Sequence, residues 1–396
     1  MHVYDYLIIG GGIIGLGLAK ALKTRYPEAS VVLIEKERSP GAHSSGRNSG
    51  VLHAGFYYTA DSLKARFTRE GNATMHAFCE ENGLKINRCG KVVVAQNAGE
   101  LEGLEELKRR GDANGVALEW MSEEALRARF PEAKTFQKAL FSPSTSTVNP
   151  KEVVKALALH VKALGVEIRT QCAYEARLGK DAVLTSQGPL FFNTLINAAG
   201  LYADTIAQEF GAGKAYVIIP FKGIYLKDAH NHMGLSTNIY PVPNLANPFL
   251  GVHYTLTAEG AAKIGPTAIP ALWRENYQGV ENFSLHELGQ IAWYEAKLFA
   301  TNAFGFRALA VEEVRKYQKS YFLGLATALT HERDHNGFDA WSEPGIRAQL
   351  LNTDTLELVQ DFIVEREGNT VHILNAVSPA FTCAFSFTEW VVEEYM

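Results

Sequence analysis

Glycines 10, 11, 12 and 15 stand between two apolar runs, VYDYLII (3–9) and VVLIE (31–35), and constrain the chain more than any other feature. After the glycines, LGLAKALKTRYP has helical spacing and stops near Pro27. Strand, glycine turn, helix and second strand make a βαβ unit, and strands this continuously apolar belong in a buried parallel sheet. Within GGGIIG, Gly10 is expected to make the tight turn, Gly12 to let the backbone approach a pyrophosphate, and Gly15 to let helix and strand pack closely. The helix start offers unpaired N–H groups and the positive end of its dipole to phosphates. Glu35 follows twenty residues after Gly15, where a carboxylate binds both ribose hydroxyls of an adenosine. The bland alternative is a glycine-rich turn that binds nothing; turn, helix, strand and acid in register argue against it.

The fingerprint alone does not separate FAD from NAD, but the acid at position 35 disfavours the 2′-phosphate of NADP. Two features favour FAD. HSSGRNSGVLHAGFYY (43–58) follows the second strand closely, with hydroxyls, Arg47 and glycines running into aromatic rings. FAD is the longer cofactor within one fold unit and needs such contacts beyond the pyrophosphate. Ser378-Pro379 reads as the N-cap and first-turn proline of a C-terminal helix. A helix N-terminus aimed at the flavin pyrimidine stabilises the negative charge of a reduced flavin; plain helix capping accounts for Ser378 equally well.

The other totals mainly exclude. At 396 residues the chain is too long for one simple core, so one large or two interleaved domains are expected. A net charge of −5 argues against general nucleic-acid binding. The four cysteines are scattered without a CxxC pair, which suggests neither zinc nor a disulfide framework and suits a reducing compartment. His331, Glu332, Asp334 and His335 lack the HExxH order and read as a solvated turn, so no metal site is expected. No signal peptide or membrane-spanning run is visible, so a cytoplasmic place is expected, with peripheral contact to the inner face of a membrane left open.

Further along, residues 61–84, 99–111, 151–164, 284–300 and 309–317 look helical. Strand character recurs at VEIRT (166–170), TLINAAG (194–200), 215–226, 236–240 and 248–257, and the end reads as strand, turn, helix. The fold class is therefore α/β (α+β overall): a Rossmann-like FAD-binding domain interleaved with an antiparallel-sheet substrate domain. Its expected boundaries are 1–80, 145–218 and 335–396 for the first and 81–144 and 219–334 for the second.

The segments YDYLIIGGGIIGLGLAKAL, HSSGRNSGVLHAGFYY, PFKGIYL, YPVPN…PFLGVHYTLT, PGIRAQL and NAVSPAFT carry a resemblance that runs from end to end. The chain resembles the D-amino-acid-oxidase-like family of FAD oxidoreductases, and within it the L-2-hydroxyglutarate dehydrogenase/oxidase branch. It departs from that branch at Lys222, where PFKG replaces the usual PFRG, and it matches loosely between Leu256 and Ala308. The resemblance implies FAD held by Gly10, Gly12, Ile14 and Gly15, by Glu35 and Lys36, and by Ser44, Ser45, Arg47, Asn48, Ser49 and Gly50. It also places Tyr174 at the adenine, Ala198, Ala199, Gly200 and Tyr202 beside the cofactor, and Ser378, Pro379, Ala380, Phe381 and Thr382 at the flavin.

Oxidising a 2-hydroxy acid needs a base for the hydroxyl proton, a cation for the carboxylate and exclusion of water. His53 is the first candidate base; the bland reading is a histidine packed under the flavin. His253 is the second, on a strand where it shares a face with Thr255 while Tyr254 faces the other way. Arg347 is the candidate carboxylate fork and Lys222 a point charge for a distal carboxylate. Tyr57, Tyr58 and Tyr240 are candidate pocket walls. The implied reaction is oxidation of L-2-hydroxyglutarate, with electrons passed to a quinone or to oxygen. An amine or amino-acid oxidase on the same fold, a non-catalytic flavin-binding module and an NAD dehydrogenase are the competing readings.

Overall fold

The computed structural model describes residues 2–243, 249–331 and 334–396. The chain divides into two compact units, each assembled from separated stretches. Met1–Asn48, Pro150–Pro220 and Ile346–Met396 form the first, and Ser49–Asn149 and Phe221–Gly345 the second.

The first unit is built on the βαβ start. Strand Val3–Ile9 lies between Val31–Ile34 and Gly188–Asn197, parallel to both. Glu167–Arg169 extends the parallel sheet on one side, and Thr370–Asn375 runs parallel to the last residues of Gly188–Asn197. Antiparallel strands complete the sheet, Tyr174–Arg177 with Ala182–Thr185 and Ile363–Glu367 beside Thr370–Asn375. Leu7, Ile9, Val32, Ile34 and Leu195 pack with Ile206 and Phe210 of helix Ala203–Phe210. Helix Ile13–Arg25 packs instead against helices Pro150–Ala163 and Ala380–Tyr395. Gly17 makes the second approach close: a Cβ there would sit 2.9 Å from Thr388 Oγ1.

The second unit centres on an eight-stranded sheet ordered from Ala340–Trp341 through Leu226–Asp228, Ala262–Gly265, His253–Leu256, Asn238–Pro241, Lys91–Val94 and Lys138–Ser142 to Glu119–Ser122. An antiparallel sheet is expected, and one joint departs from it: Asn238–Pro241 runs parallel to Lys91–Val94. Those strands come from the unit's two separate stretches, so no hairpin ties their directions together. Alternation divides the faces. Val92, Val94, Phe141, Ile239, Tyr254 and Leu256 face one core cluster, while Val93, Leu140 and Tyr240 face another with Ala54, Phe56 and Tyr57.

Three expectations need correction. Residues 49–80, 145–149 and 335–345 lie in the second unit, not with the nucleotide-binding segments, and residues 219–220 lie in the first. Val51–Leu52 pairs with Ser146–Val148, Ala340–Trp341 pairs with Leu226–Asp228, and Asn72 donates to the carbonyls of Leu52 and His53 at 3.3 and 3.0 Å. Ser378 does not cap the last helix. That helix starts at Ala380 with Pro379 at the cap position and no side-chain cap, because the Ala380 N–H closes a turn onto the Val377 carbonyl at 2.9 Å. The turn at 331–335 is only partly solvated. Asp334 is exposed, but His335 Nε2 meets the Tyr254 hydroxyl at 2.7 Å; Glu332 lies outside the described residues. Helix Lys319–Thr327 was not expected at all, since KSYFLGLAT has little amphipathic spacing.

A Cβ on Gly15 would overlap the carbonyl oxygen of Gly10. The neighbour is backbone and cannot rotate away, so Gly15→Ala should destabilise the protein by about 1–3 kcal/mol. Thermal unfolding checks this; an unchanged Tm would mean that the turn repacks freely.

Candidate functional site

In the first unit the glycine turn is held from three sides. Gly10 has φ +106°, and a Cβ on it would stand 2.5 Å from the carbonyl oxygen of Ala198. Its N–H donates to the Ile34 carbonyl and the Ala198 N–H to the Ile9 carbonyl, both at 2.9 Å, so the turn and the 198–200 segment are fixed together. Gly12 is the N-cap residue of helix Ile13–Arg25 and has no side chain to cap it. Ser45 does this from a distance: its Oγ accepts the Ile13 N–H at 2.9 Å. A Cβ on Gly12 would meet that hydroxyl at 3.1 Å.

Glu35, 7% exposed, accepts the Gly11 N–H on one carboxylate oxygen at 2.8 Å and the Glu37 N–H on the other at 2.9 Å. Each oxygen keeps a further lone pair, the pattern a pair of vicinal ribose hydroxyls requires. Gly11 matters as much as its neighbours, since a Cβ there would press on Glu35 Oε2 at 2.9 Å. In the sequence, the signal for Gly11 is three consecutive glycines followed by an acid at the end of the second strand.

The 42–48 loop braces itself. Arg47 Nε donates to the Ala42 carbonyl at 2.8 Å, Asn48 to the carbonyls of Ser44 and Ser45, and Ser44 Oγ to the Ile346 carbonyl at 2.6 Å. Lys36 lies over the Tyr202 ring at 5.0 Å, next to Ala199 and Gly200, so these candidates do come together. Tyr174 directs its hydroxyl to Glu209 at 2.7 Å. Ser378 is exposed, while Ala380 and Thr382 are buried at the uncapped start of the last helix. Ser49 and Gly50 belong to the second unit; Gly50 has φ +77° and its carbonyl accepts the Val148 N–H at 2.9 Å.

These residues fit an adenine dinucleotide of the FAD type: a buried ribose acceptor, a side-chain-free turn at a helix start, and a second uncapped helix start in Ala380–Tyr395.

The second unit gathers the candidates for proton chemistry. His253, 3% exposed, stacks on Tyr240 with ring centroids 3.7 Å apart. As the strand alternation requires, His253 faces Tyr240 while Tyr254 faces the opposite core. Its Nδ1 lies 2.8 Å from the Gly251 carbonyl. A carbonyl only accepts, so Nδ1 carries the hydrogen and Nε2 keeps its lone pair. His53 is partly exposed, and its backbone carbonyl is tied to Asn72. Burial first, then the charges of Lys91 and His253, hold its imidazole well below the ordinary histidine range. Tyr57 stacks on Phe56 at 4.6 Å, and its buried hydroxyl has no hydrogen-bond partner.

Lys91 is the residue that sequence reasoning missed. It is fully buried, has no hydrogen-bond acceptor among the described residues, and lies 4.4, 4.3 and 4.9 Å from the ring centroids of Phe56, Tyr57 and Tyr240. Burial pushes its ammonium well below the usual lysine range, and ring faces offset part of that penalty at about 0.5–2 kcal/mol each. In KVVV it reads as a solvated strand end, and only alternation with Val93 signals an inward position.

Lys222 stands on another strand, Tyr216–Gly223, where its Nζ approaches Asn276 Oδ1 at 3.4 Å and burial lowers its pKa. Arg347, half-buried, sits on strand Gly345–Asn352 in the first unit.

The model of the family described as DAO, FAD dependent oxidoreductase, matches residues 5–394. L-2-hydroxyglutarate dehydrogenase of Escherichia coli O17:K52:H18 is 36% identical, covering 99% of this chain and 93% of that protein. The mitochondrial L-2-hydroxyglutarate dehydrogenase of Homo sapiens is 31% identical over 99% of this chain and 88% of that protein. Among solved structures, FAD-bound L-alpha-glycerophosphate oxidase from Mycoplasma pneumoniae superposes with a TM-score of 0.76 at 23% identity, covering 99% of this chain and 94% of that one. Glycine oxidase from Geobacillus kaustophilus gives 0.71 at 17%, covering 100% and 94%; both likenesses concern the fold. The chain belongs to the DAO family of FAD-dependent oxidoreductases.

Proposed function

We propose that this enzyme oxidises L-2-hydroxyglutarate to 2-oxoglutarate. The observation that carries this reading is full-length identity of 30–36% to proteins named L-2-hydroxyglutarate dehydrogenase, and two histidines of the second unit give it a chemistry. FAD, when bound, supplies the acceptor for the hydride that leaves C2. His53 takes the hydroxyl proton: burial and neighbouring charge hold its pKa below the ordinary histidine range, and the residue is partly exposed. His253 is the second candidate, since Gly251 leaves its Nε2 as the acceptor. Arg347 grips a carboxylate in two-point fashion and Lys222 holds the distal carboxylate as a point charge. Tyr57 and Tyr240, buried and apolar-faced, keep water from the base.

Anaerobic mixing checks the substrate. L-2-hydroxyglutarate should bleach the bound flavin, while D-2-hydroxyglutarate, glycine, sarcosine and D-amino acids should not. Bleaching by an amino acid alone would replace this reading with an amino-acid oxidase, and no bleaching by any of them would leave a binding module.

Arg347→Lys should raise KM at least tenfold with little change in kcat, because the fork geometry is lost while the charge remains. Steady-state kinetics decide, and an unchanged KM moves the carboxylate site elsewhere.

For the electrons we propose transfer to a quinone or to oxygen at the periphery of a membrane. No helix among the described residues is long and apolar enough to cross one. Helix Leu285–Thr301 instead buries Ile291 and Leu298 and exposes Leu285, Trp293 and Phe299, and helix Phe306–Arg315 exposes Val311 and Val314. Exposed apolar and aromatic side chains of this kind enter the interface of a bilayer. The protein should therefore float with phosphatidylethanolamine–phosphatidylglycerol vesicles, and the double variant L285S/W293S should not; equal flotation of the two would overturn this placement.

A further inference from the structure

The segment that faces the glycine turn is held from behind by a polar chain that the reaction above does not use. Strand Gly188–Asn197 ends at Asn197, whose neighbour in parallel register is His372 of strand Thr370–Asn375. Both residues are 0% exposed, and the strands around them are apolar at Ile196, Val371 and Ile373. Asn197 Oδ1 accepts the Ala199 N–H at 3.2 Å, and Asn197 Nδ2 donates to the Ala203 carbonyl at 2.8 Å. One side-chain amide thus clasps the Gly200–Tyr202 turn from both ends. Ala198 carries the carbonyl that stands against Gly10. A Cβ on Gly200 would meet nothing within 4 Å among the described residues apart from its chain neighbours. The segment is therefore anchored on Asn197 and open at Gly200.

We propose that His372 is a positioning residue for FAD: by accepting from Asn197 it fixes the 198–203 segment against which the dinucleotide lies. This rests on the reading that FAD occupies the glycine turn. The partners decide the orientation of each group. The Ala199 N–H can only donate and the Ala203 carbonyl can only accept, so the Asn197 amide has one orientation. Its second amide hydrogen is left for His372 Nδ1, 3.1 Å away. Nδ1 must then be the bare nitrogen, and the hydrogen sits on Nε2, which meets Thr370 Oγ1 at 2.8 Å. The Thr370 hydroxyl donates in turn to the Glu367 carbonyl at 2.8 Å. A hydrogen on Nδ1 would face the Asn197 amide hydrogens and drive that group off the Ala203 carbonyl. Burial lowers the His372 pKa to about 4, in keeping with a ring that accepts at Nδ1. Phe210 covers the ring, with centroids 5.7 Å apart. Two apolar residues would fill this space at a smaller desolvation cost. What the polar chain adds is a fixed course for the backbone at 199–203.

The experiment compares the wild-type holoenzyme with His372→Leu and His372→Asn. Leucine and asparagine side chains have the same branched shape, so both leave the same space beneath Phe210. Only asparagine can set an acceptor where Nδ1 stands. Each holoenzyme is diluted, and the fluorescence of released flavin gives the dissociation constant for FAD. His372→Leu should raise that constant about tenfold or more, the effect of a buried amide hydrogen left without an acceptor. His372→Asn should restore the wild-type value. Equal weakening in the two variants overturns the proposal, because the bulk of the ring would then be all that counts. A wild-type value in His372→Leu overturns it as well. Should His372→Leu not fold, the tautomer decides. Nitrogen NMR of the histidine rings near neutral pH, assigned with His372→Asn, should place the His372 hydrogen on Nε2; a hydrogen on Nδ1 sinks the proposal. Gly12→Val tests the underlying reading separately. FAD retained in that variant would move the cofactor away from the glycine turn while the His372 tautomer stood unchanged.

Discussion

The backbone contact at Gly10 is the constraint on which the first unit depends. The turn brings the end of strand Val3–Ile9 against Ala198, and Gly15 passes so close over the Gly10 carbonyl that neither position has room for a Cβ. Once the turn is made, the helix starts beside the second strand, and Glu35 reaches back to the Gly11 N–H. Ser45 supplies the cap that a glycine cannot. Each later contact reinforces the first: the same hydrogen bonds that hold the turn leave the remaining helix amides and carboxylate lone pairs directed outward for a dinucleotide.

The second unit solves a different problem. Its sheet has one face filled by apolar side chains, among them Val92, Ile239 and Tyr254, and a second face where Lys91, Tyr240 and His253 break the apolar pattern. Buried polar groups without partners are expensive. The Lys91 ammonium and the Tyr57 hydroxyl are both in that state, in the neighbourhood of two histidines whose proton affinity matters. Poorly satisfied groups of shifted pKa collect more often at working sites than in cores.

How much of this was legible in the sequence varies with the range of the interaction. The glycine turn, its flanking strands and Glu35 are read within thirty-five residues, and the opposed faces of His253 and Tyr254 follow from strand alternation alone. Ser378 shows the limit of local reading. The dipeptide looks like a cap and a first-turn proline, yet a turn onto Val377 shifts the helix start to Ala380. Arg47 and Asn48, read as cofactor donors, have donors engaged by loop carbonyls. Residues 49–80 go with the second unit because their partners, Ser146–Val148 among them, lie far along the chain. Lys91 was invisible because a lysine before three valines says nothing about which side of a sheet it will take.

By itself the sequence determined the βαβ start, the dinucleotide fingerprint and membership of a flavin-dependent family, since these rest on short-range sterics and on long stretches of matching residues. Only the tertiary structure decided which titratable groups come near one another. His53, Lys91, Tyr240 and His253 stand far apart in the chain, and a proton affinity is set by the burial and charges around a group in space, which no local pattern encodes.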